Sequence, residues 1–127
     1  MLSDAQIAPT LPSTDLARSR SFYEEVLRLT PEWQGEEEVL YRSGGGSRLL
    51  VYERPPSQAE HTLASFFVDD LDAEMADLRG RGVTFEEYDF PGLKTVEGVA
   101  DGPEGMRAAW FKDPDGNILA LTQMPRR

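Results

Sequence analysis

The sequence has no cysteine, which excludes disulfides, thiolate metal ligands and a cysteine nucleophile. The absence is compatible with a reducing compartment. Histidine occurs once, at His61, the one ordinary side chain that titrates near neutral pH. Positive charge is scarce: 13 Lys and Arg stand against 23 Asp and Glu, a net charge of −10. Nucleic-acid binders usually carry a basic face, so no nucleic acid is expected as a partner. An anionic membrane surface would repel such a chain, and a cationic small molecule would be drawn to it at long range. No apolar run approaches the roughly 20 residues that span a bilayer, and no signal-like segment opens the chain. A soluble, cytoplasmic protein is expected. Lysine is also rare, with two against eleven arginines, a usage associated with GC-rich bacterial genomes.

What is present suffices for one domain. A chain of 127 residues buries roughly two-thirds of its unfolded surface on folding, so residues 1–127 are read as a single domain with its own core. Its most informative stretch is Phe111-Lys112-Asp113-Pro114-Asp115-Gly116-Asn117-Ile118-Leu119-Ala120-Leu121-Thr122. Aspartate caps a turn, proline presets φ at the next position, and glycine takes a positive φ cheaply. Strands are expected on either side, over residues 107–111 and 117–123.

Earlier in the chain, Ile7 to Leu11 reads as a strand, and Pro9 within it suits an edge position. Asp15 opens a helix with Leu16, Ser19, Phe22, Tyr23, Val26 and Leu27 on one face. Short strands are expected at 32–34, 39–42 and 48–53. The glycine-rich Ser43–Ser47 connection leads into a strand, not a helix, and does not read as a phosphate loop. A second pass begins with a strand at 62–68 and a helix opened by Asp69-Asp70. Leu71, Met75 and Leu78 form that helix's apolar stripe, and Gly82 ends it. A strand over Val83–Glu87 and a long loop over 89–105, a candidate lid, precede the final hairpin.

Superposing Asp15 on Asp70 and Gly46 on Gly116 gives the order βαβββ twice: module one at 7–54, a linker at 55–60 and module two at 61–124. This is an α+β arrangement. With its Asp-Pro-Asp-Gly-Asn hairpin, the Asp15–Tyr23 stretch and the Val68-Asp69-Asp70-Leu71 stretch, the chain resembles the vicinal oxygen chelate superfamily. That group comprises glyoxalase I, extradiol dioxygenases and bleomycin-resistance proteins, and the resemblance covers roughly residues 7–124. It implies two modules curled into an incomplete barrel around a cleft, and a homodimer.

Metal-dependent members hold a divalent ion through His on the first strand and Glu on the last strand of each module. The corresponding residues here are Ala8, Leu50, Leu63 and Ala120, all apolar. No cofactor is therefore expected. His61, two residues before Leu63, is the remaining candidate for a metal ligand, with Glu53 and Glu60 as its helpers. Asp69-Asp70 and Asp113/Asp115 suit a helix cap and a turn rather than an acid/base pair.

Without metal, an apolar cleft remains, the usual form of a small-molecule pocket. Strand alternation places Thr10, Arg48, Leu50, Tyr52, Leu63, Ser65, Phe67, Ile118, Ala120 and Thr122 toward it, and Trp33 and Trp110 can add flat aromatic surface. Three functions follow. The first is a metal-free small-molecule-binding protein for an aromatic or cationic ligand, similar to the drug-binding resistance proteins. The second is a glyoxalase-type lyase, isomerase or dioxygenase using a divalent metal or metal-free acid/base chemistry. The third is a partner domain that only dimerises.

Overall fold

The structure, a computed structural model, describes residues 1–125. It divides into two compact units, the first ending at Ala59 and the second beginning at Glu60. Each is an α+β unit with a four-stranded sheet.

The first sheet has the order β1-β4-β3-β2, from β1 (Thr10–Ser13), β2 (Thr30–Gln34), β3 (Glu38–Arg42) and β4 (Arg48–Glu53). β1 runs parallel to β4, and the other pairs are antiparallel. Helix α1 (Leu16–Arg20) begins where the Asp15 side chain accepts the Arg18 amide at 3.1 Å, satisfying one of the amides that a helix start leaves free. It widens into a π-helical turn over Ser21–Val26. One face of the sheet meets this helix. Leu11, Ser13, Val39, Tyr41, Leu49 and Val51 are buried on it, and Tyr23 stacks on Tyr41 with centroids 5.7 Å apart. The buried Ser13 and Ser19 hydroxyls satisfy each other at 2.6 Å.

The second sheet has the order β5-β10-β9-β8, from β5 (Thr62–Phe67), β8 (Ala100–Asp101), β9 (Arg107–Lys112) and β10 (Ile118–Gln123). Helix α2 (Leu71–Gly80) is capped by Asp70, which accepts the Ala73 amide at 3.1 Å, and its Leu71, Met75 and Leu78 are buried. Gly82 sits at φ 92° just past its end. There the Val83 amide reaches Leu78 and the Gly82 amide reaches Arg79, a Schellman closure. The Asp113 turn is built as its residues require. Its carboxylate accepts the Asp115 and Asn117 amides at 2.9 Å each and the Asn117 side chain at 2.8 Å, and Gly116 takes φ 82°.

The two sheets match in register. Thr10 faces Leu50 across β1/β4, and Ser65 faces Ala120 across β5/β10; these four positions correspond under the two superpositions.

Four expectations need correction. The first strand starts at Thr10, not Ile7. Ile7 is exposed, and Pro9 lies outside the strand while its carbonyl accepts the Leu50 amide at 2.9 Å. The first helix is only partly α-helical. Val83–Glu87 forms no strand. Its backbone meets β9 at a Phe85–Phe111 bridge and through the Glu86 amide on the Trp110 carbonyl at 2.7 Å, without a continuous ladder. The rest of that edge of β9 is taken by β8, opposite Arg107 and Ala108. Finally, residues 89–105 are not featureless. They hold a hairpin of β6 (Asp89–Phe90) and β7 (Leu93–Lys94), a Val96–Val99 bridge, β8 and a short helical turn at Pro103–Gly105.

Candidate functional site

Strand alternation leaves each sheet with a second face, turned away from its own helix, and the expected binding residues other than Leu63 fall there. In the first unit a row runs across the sheet from Thr10 through Leu50 and Leu40 to Trp33. Arg48 and Arg42 form the next row, and Pro12, Tyr52 and Glu38 the row on the other side. Leu40, Leu50 and Tyr52 are half-buried, whereas Trp33 is 54% exposed.

Trp33 reaches this face because of a bulge. Pro31 pairs with Tyr41 and Trp33 with Leu40, so Glu32 is an extra residue. In a regular ladder Trp33 would oppose Val39 and point at the helix, because a one-residue slip exchanges the faces of a strand. The same bulge brings Glu32 to Arg48. The two form a forked ion pair with one contact at 2.7 Å through Nη2, and Arg48 Nη1 also donates to Gln6 and to the Gly46 carbonyl at 2.6 and 2.7 Å. The Arg48 hydrogen bond is the main reason the Glu32 carboxyl is held below its usual range.

In the second unit the corresponding row is Ser65, Ala120 and Trp110, flanked by Phe67, Thr122 and Ala108. Ala120 is buried, Trp110 and Ile118 are half-buried, and Phe67 is 74% exposed. Leu63 lies in a bulge of β5, since Ile118 pairs with Thr62 and Leu119 with Ala64. Trp110 donates its indole N–H to Thr62 at 3.1 Å. Tyr88 packs edge-on against Trp110 at 5.6 Å and against Phe90 at 5.9 Å. Burial, then the nearby Glu86 charge, pushes the Tyr88 hydroxyl above the usual phenol value.

Sequence reasoning missed Leu40 and Arg42, which the alternation of β3 against buried Val39 and Tyr41 would have found. It also missed Tyr88 and Phe90, which lie in a segment without strand period. The expected binding residues divide between the two units, Thr10, Trp33, Arg48, Leu50 and Tyr52 in the first and Leu63, Ser65, Phe67, Trp110, Ile118 and Ala120 in the second.

The four positions expected from the resemblance to carry metal ligands are occupied by apolar residues. Ala8 lies ahead of β1, and Leu50, Leu63 and Ala120 lie on their strands. The residues paired with Leu50 and Ala120 are Thr10 and Ser65, which offer hydroxyls rather than imidazole or carboxylate. His61 is exposed and precedes β5, and Glu53 and Glu60 are exposed. Among the described residues no group of three or more His, Cys, Asp or Glu side chains is placed to hold a metal ion.

Two polar grooves lie elsewhere. One of about 580 Å³ beside the end of the first helix is lined by Glu24, Glu25, Arg28, Leu29, Thr30 and Pro31. The other, of about 380 Å³, lies between α2 and the 96–107 segment, where Arg107 is held by Asp72 at 3.0 Å. Neither includes an expected binding residue.

Comparison with known proteins supplies the remaining finding. The sequence matches the family model described as Glyoxalase/Bleomycin resistance protein/Dioxygenase superfamily over residues 6–121. No curated protein matches it. Among solved structures it is similar to a bleomycin-binding protein complexed with bleomycin, at 22% identity and a TM-score of 0.71, covering 94% of this chain and 98% of that one. It is similar to a lactoylglutathione lyase from Agrobacterium tumefaciens at 18% identity and a TM-score of 0.72, covering 94% and 93%. It is also similar to TnmS3, an antibiotic-binding protein from Streptomyces sp. CB03234, at 23% identity and a TM-score of 0.63, covering 97% and 98%. At these identities the likeness establishes the fold.

Proposed function

We propose, from the premise that the chain belongs to the Glyoxalase/Bleomycin resistance protein/Dioxygenase superfamily, that it is a metal-independent member that binds a small molecule with a flat aromatic or apolar body. The observation that carries this reading is the character of the sheet faces turned away from the helices. Each presents aromatic and aliphatic side chains, Trp33, Leu40, Leu50 and Tyr52 in one unit and Phe67, Trp110 and Ile118 in the other, where Tyr88 packs on Trp110. An exposed tryptophan or phenylalanine is an unfavourable way to leave a surface unless something stacks on it, because each aromatic side chain can remove ~150–250 Å² from water. The bleomycin-binding and antibiotic-binding structures show that this fold can serve binding proteins. Ala8, Leu50, Leu63 and Ala120 support the metal-free part of the reading, because a catalytic ion normally needs about three protein ligands. The proposal includes a cytoplasmic homodimer, since the open sheets end in edge strands that need cover.

The test uses untagged protein stripped with chelator. Its melting temperature is followed with Zn, Ni, Mn or Fe(II), then with a panel of aromatic compounds. The expected result is no response to any ion and a rise with at least one aromatic, because a ligand that binds only the native state stabilises it by mass action. A stoichiometric metal in the purified protein would sink the reading in favour of a glyoxalase-type lyase, isomerase or dioxygenase, and His61 would be the first ligand to mutate.

A further inference from the structure

We propose that Arg42 is an anion-recognition residue, and that the first unit takes a small molecule whose aromatic or apolar body carries a carboxylate or sulfonate. The inference rests on the small-molecule reading above and adds the sign of the ligand's charge.

Charge neutralisation sets Arg42 apart. Four cations stand on or beside the faces turned away from the helices. Arg48 is matched by the two oxygens of Glu32, and by Gln6 and the Gly46 carbonyl. Lys112 is matched by Glu86 at 3.4 Å. Arg54 lies over the Tyr52 ring at 5.8 Å. The Arg42 side chain has no hydrogen bond, ion pair or ring contact among the described residues, and it is exposed. Glu32 feels its charge, but Arg48 takes both Glu32 oxygens. Arg42 also sits directly opposite Arg48 across β3/β4, where two like charges disfavour each other unless an anion joins them.

The internal repeat sharpens the contrast. The position equivalent to Arg42 in the second unit is Lys112, since Leu40 and Leu50 correspond to Trp110 and Ala120. The same place in the sheet is therefore cationic in both units, neutralised from within in one and left open in the other.

The surroundings suit an aromatic anion. Arg42 lies two residues beyond Leu40 on β3, about 7 Å along the strand from the row that ends in Trp33. A ring lying across the Leu40–Leu50 row would hold a side-arm anion beside the neighbouring Arg42–Arg48 row. The acidic Glu36, Glu37 and Glu38 lie at the other end of β3. Glu38 is four residues away, about 13 Å, which exceeds a Debye length of about 8 Å at physiological salt. The net charge of −10 thus does not set the local preference.

The test pairs two probes of similar shape and opposite charge, 1-naphthylacetate and 2-(1-naphthyl)ethylammonium, titrated by calorimetry at low and high salt. Wild type should bind naphthylacetate at least about fivefold more tightly than the ammonium, the scale of one exposed charge-assisted contact. R42Q should abolish that preference, R42K should keep part of it, and K112Q should leave it intact. The preference should shrink at about 1 M salt. Equal or tighter binding of the ammonium, or a preference that survives R42Q, overturns the role of Arg42 and leaves the small-molecule reading standing. Failure of both probes to bind overturns both readings.

Discussion

Replacing Asp113 with alanine tests the turn on which the second sheet is closed. The Asp113 carboxylate is buried and accepts from the Asp115 amide, the Asn117 amide and the Asn117 side chain. Asn117 is itself buried. Asp113→Ala removes the acceptor of the two Asn117 donors, while the half-buried Asp115 amide can turn to water. A buried donor left without a partner costs about 1–3 kcal/mol, so the expected loss is about 3 kcal/mol. For a domain of this length that lowers Tm by roughly 10 °C. With a urea m value of about 1.5 kcal/mol/M it lowers the unfolding midpoint by about 2 M. Asp113→Asn keeps one acceptor but sets an amide against the Asn117 amide, and should lose about half as much. Urea unfolding followed by tryptophan fluorescence and far-UV circular dichroism measures all three proteins. A loss below about 1 kcal/mol for the alanine variant would refute the reasoning, as would a double-mutant cycle with Asn117→Ala showing no coupling.

Three further predictions concern the helix-facing sides of the sheets. Gly98 has φ 84°, and an added Cβ would meet the Phe85 Cβ at 3.1 Å, with Arg79 Nη2 and Met75 Cε both at 3.2 Å. Gly98→Ala should therefore destabilise by about 1–3 kcal/mol in urea melts, and an unchanged midpoint would show that the 96–99 turn relaxes freely. Glu24 accepts from Arg20 at 2.6 Å and from the Tyr41 hydroxyl at 2.9 Å; its carboxyl is held below the usual range, chiefly by the Arg20 hydrogen bond. That contribution is present above the ordinary glutamate value of about 4.3 and is lost as pH falls through the lowered one, so Glu24→Gln should flatten the acid limb of stability. Burial, then Glu24, pushes the Tyr41 hydroxyl above the ordinary phenol value. Its contribution is complete below pH of about 10 and is lost as pH rises beyond it; an alkaline slope unchanged in Tyr41→Phe would contradict this.

Local signals in the sequence reached some of these features and not others. Asp15 and Asp70 at helix starts, Gly82 past a helix end, and the Asp113–Gly116 turn are legible because a single residue's chemistry decides them. β4 was read over its full length and β10 to within one residue, because alternation over six residues fixes both existence and face. The misses are places where two segments compete for one partner. Val83–Glu87 alternates well enough for a strand, yet β9 has only one free edge and β8 occupies part of it. The Glu32 bulge is invisible locally, because Trp33 reads equally well on either face of a short strand. Only pairing with β3 decides it.

The same division explains what can be inferred about function. Alternation identifies which side chains share a face, and Thr10, Leu50, Ser65 and Ala120 occupy matching places in the two sheets. It carries no information about whether a charge on that face is already matched. Arg48 and Arg42 look alike in the sequence, two arginines on neighbouring strands. The bulge that delivers Glu32 to one of them makes the difference between a structural cation and an available one. The repeat makes the same point in reverse. The slots of Leu40, Arg42 and Arg48 are filled by Trp110, Lys112 and Ile118 in the second unit. One scaffold thus offers two unlike surfaces, and recognition depends on how each set of side chains is neutralised and stacked rather than on the strands that carry them.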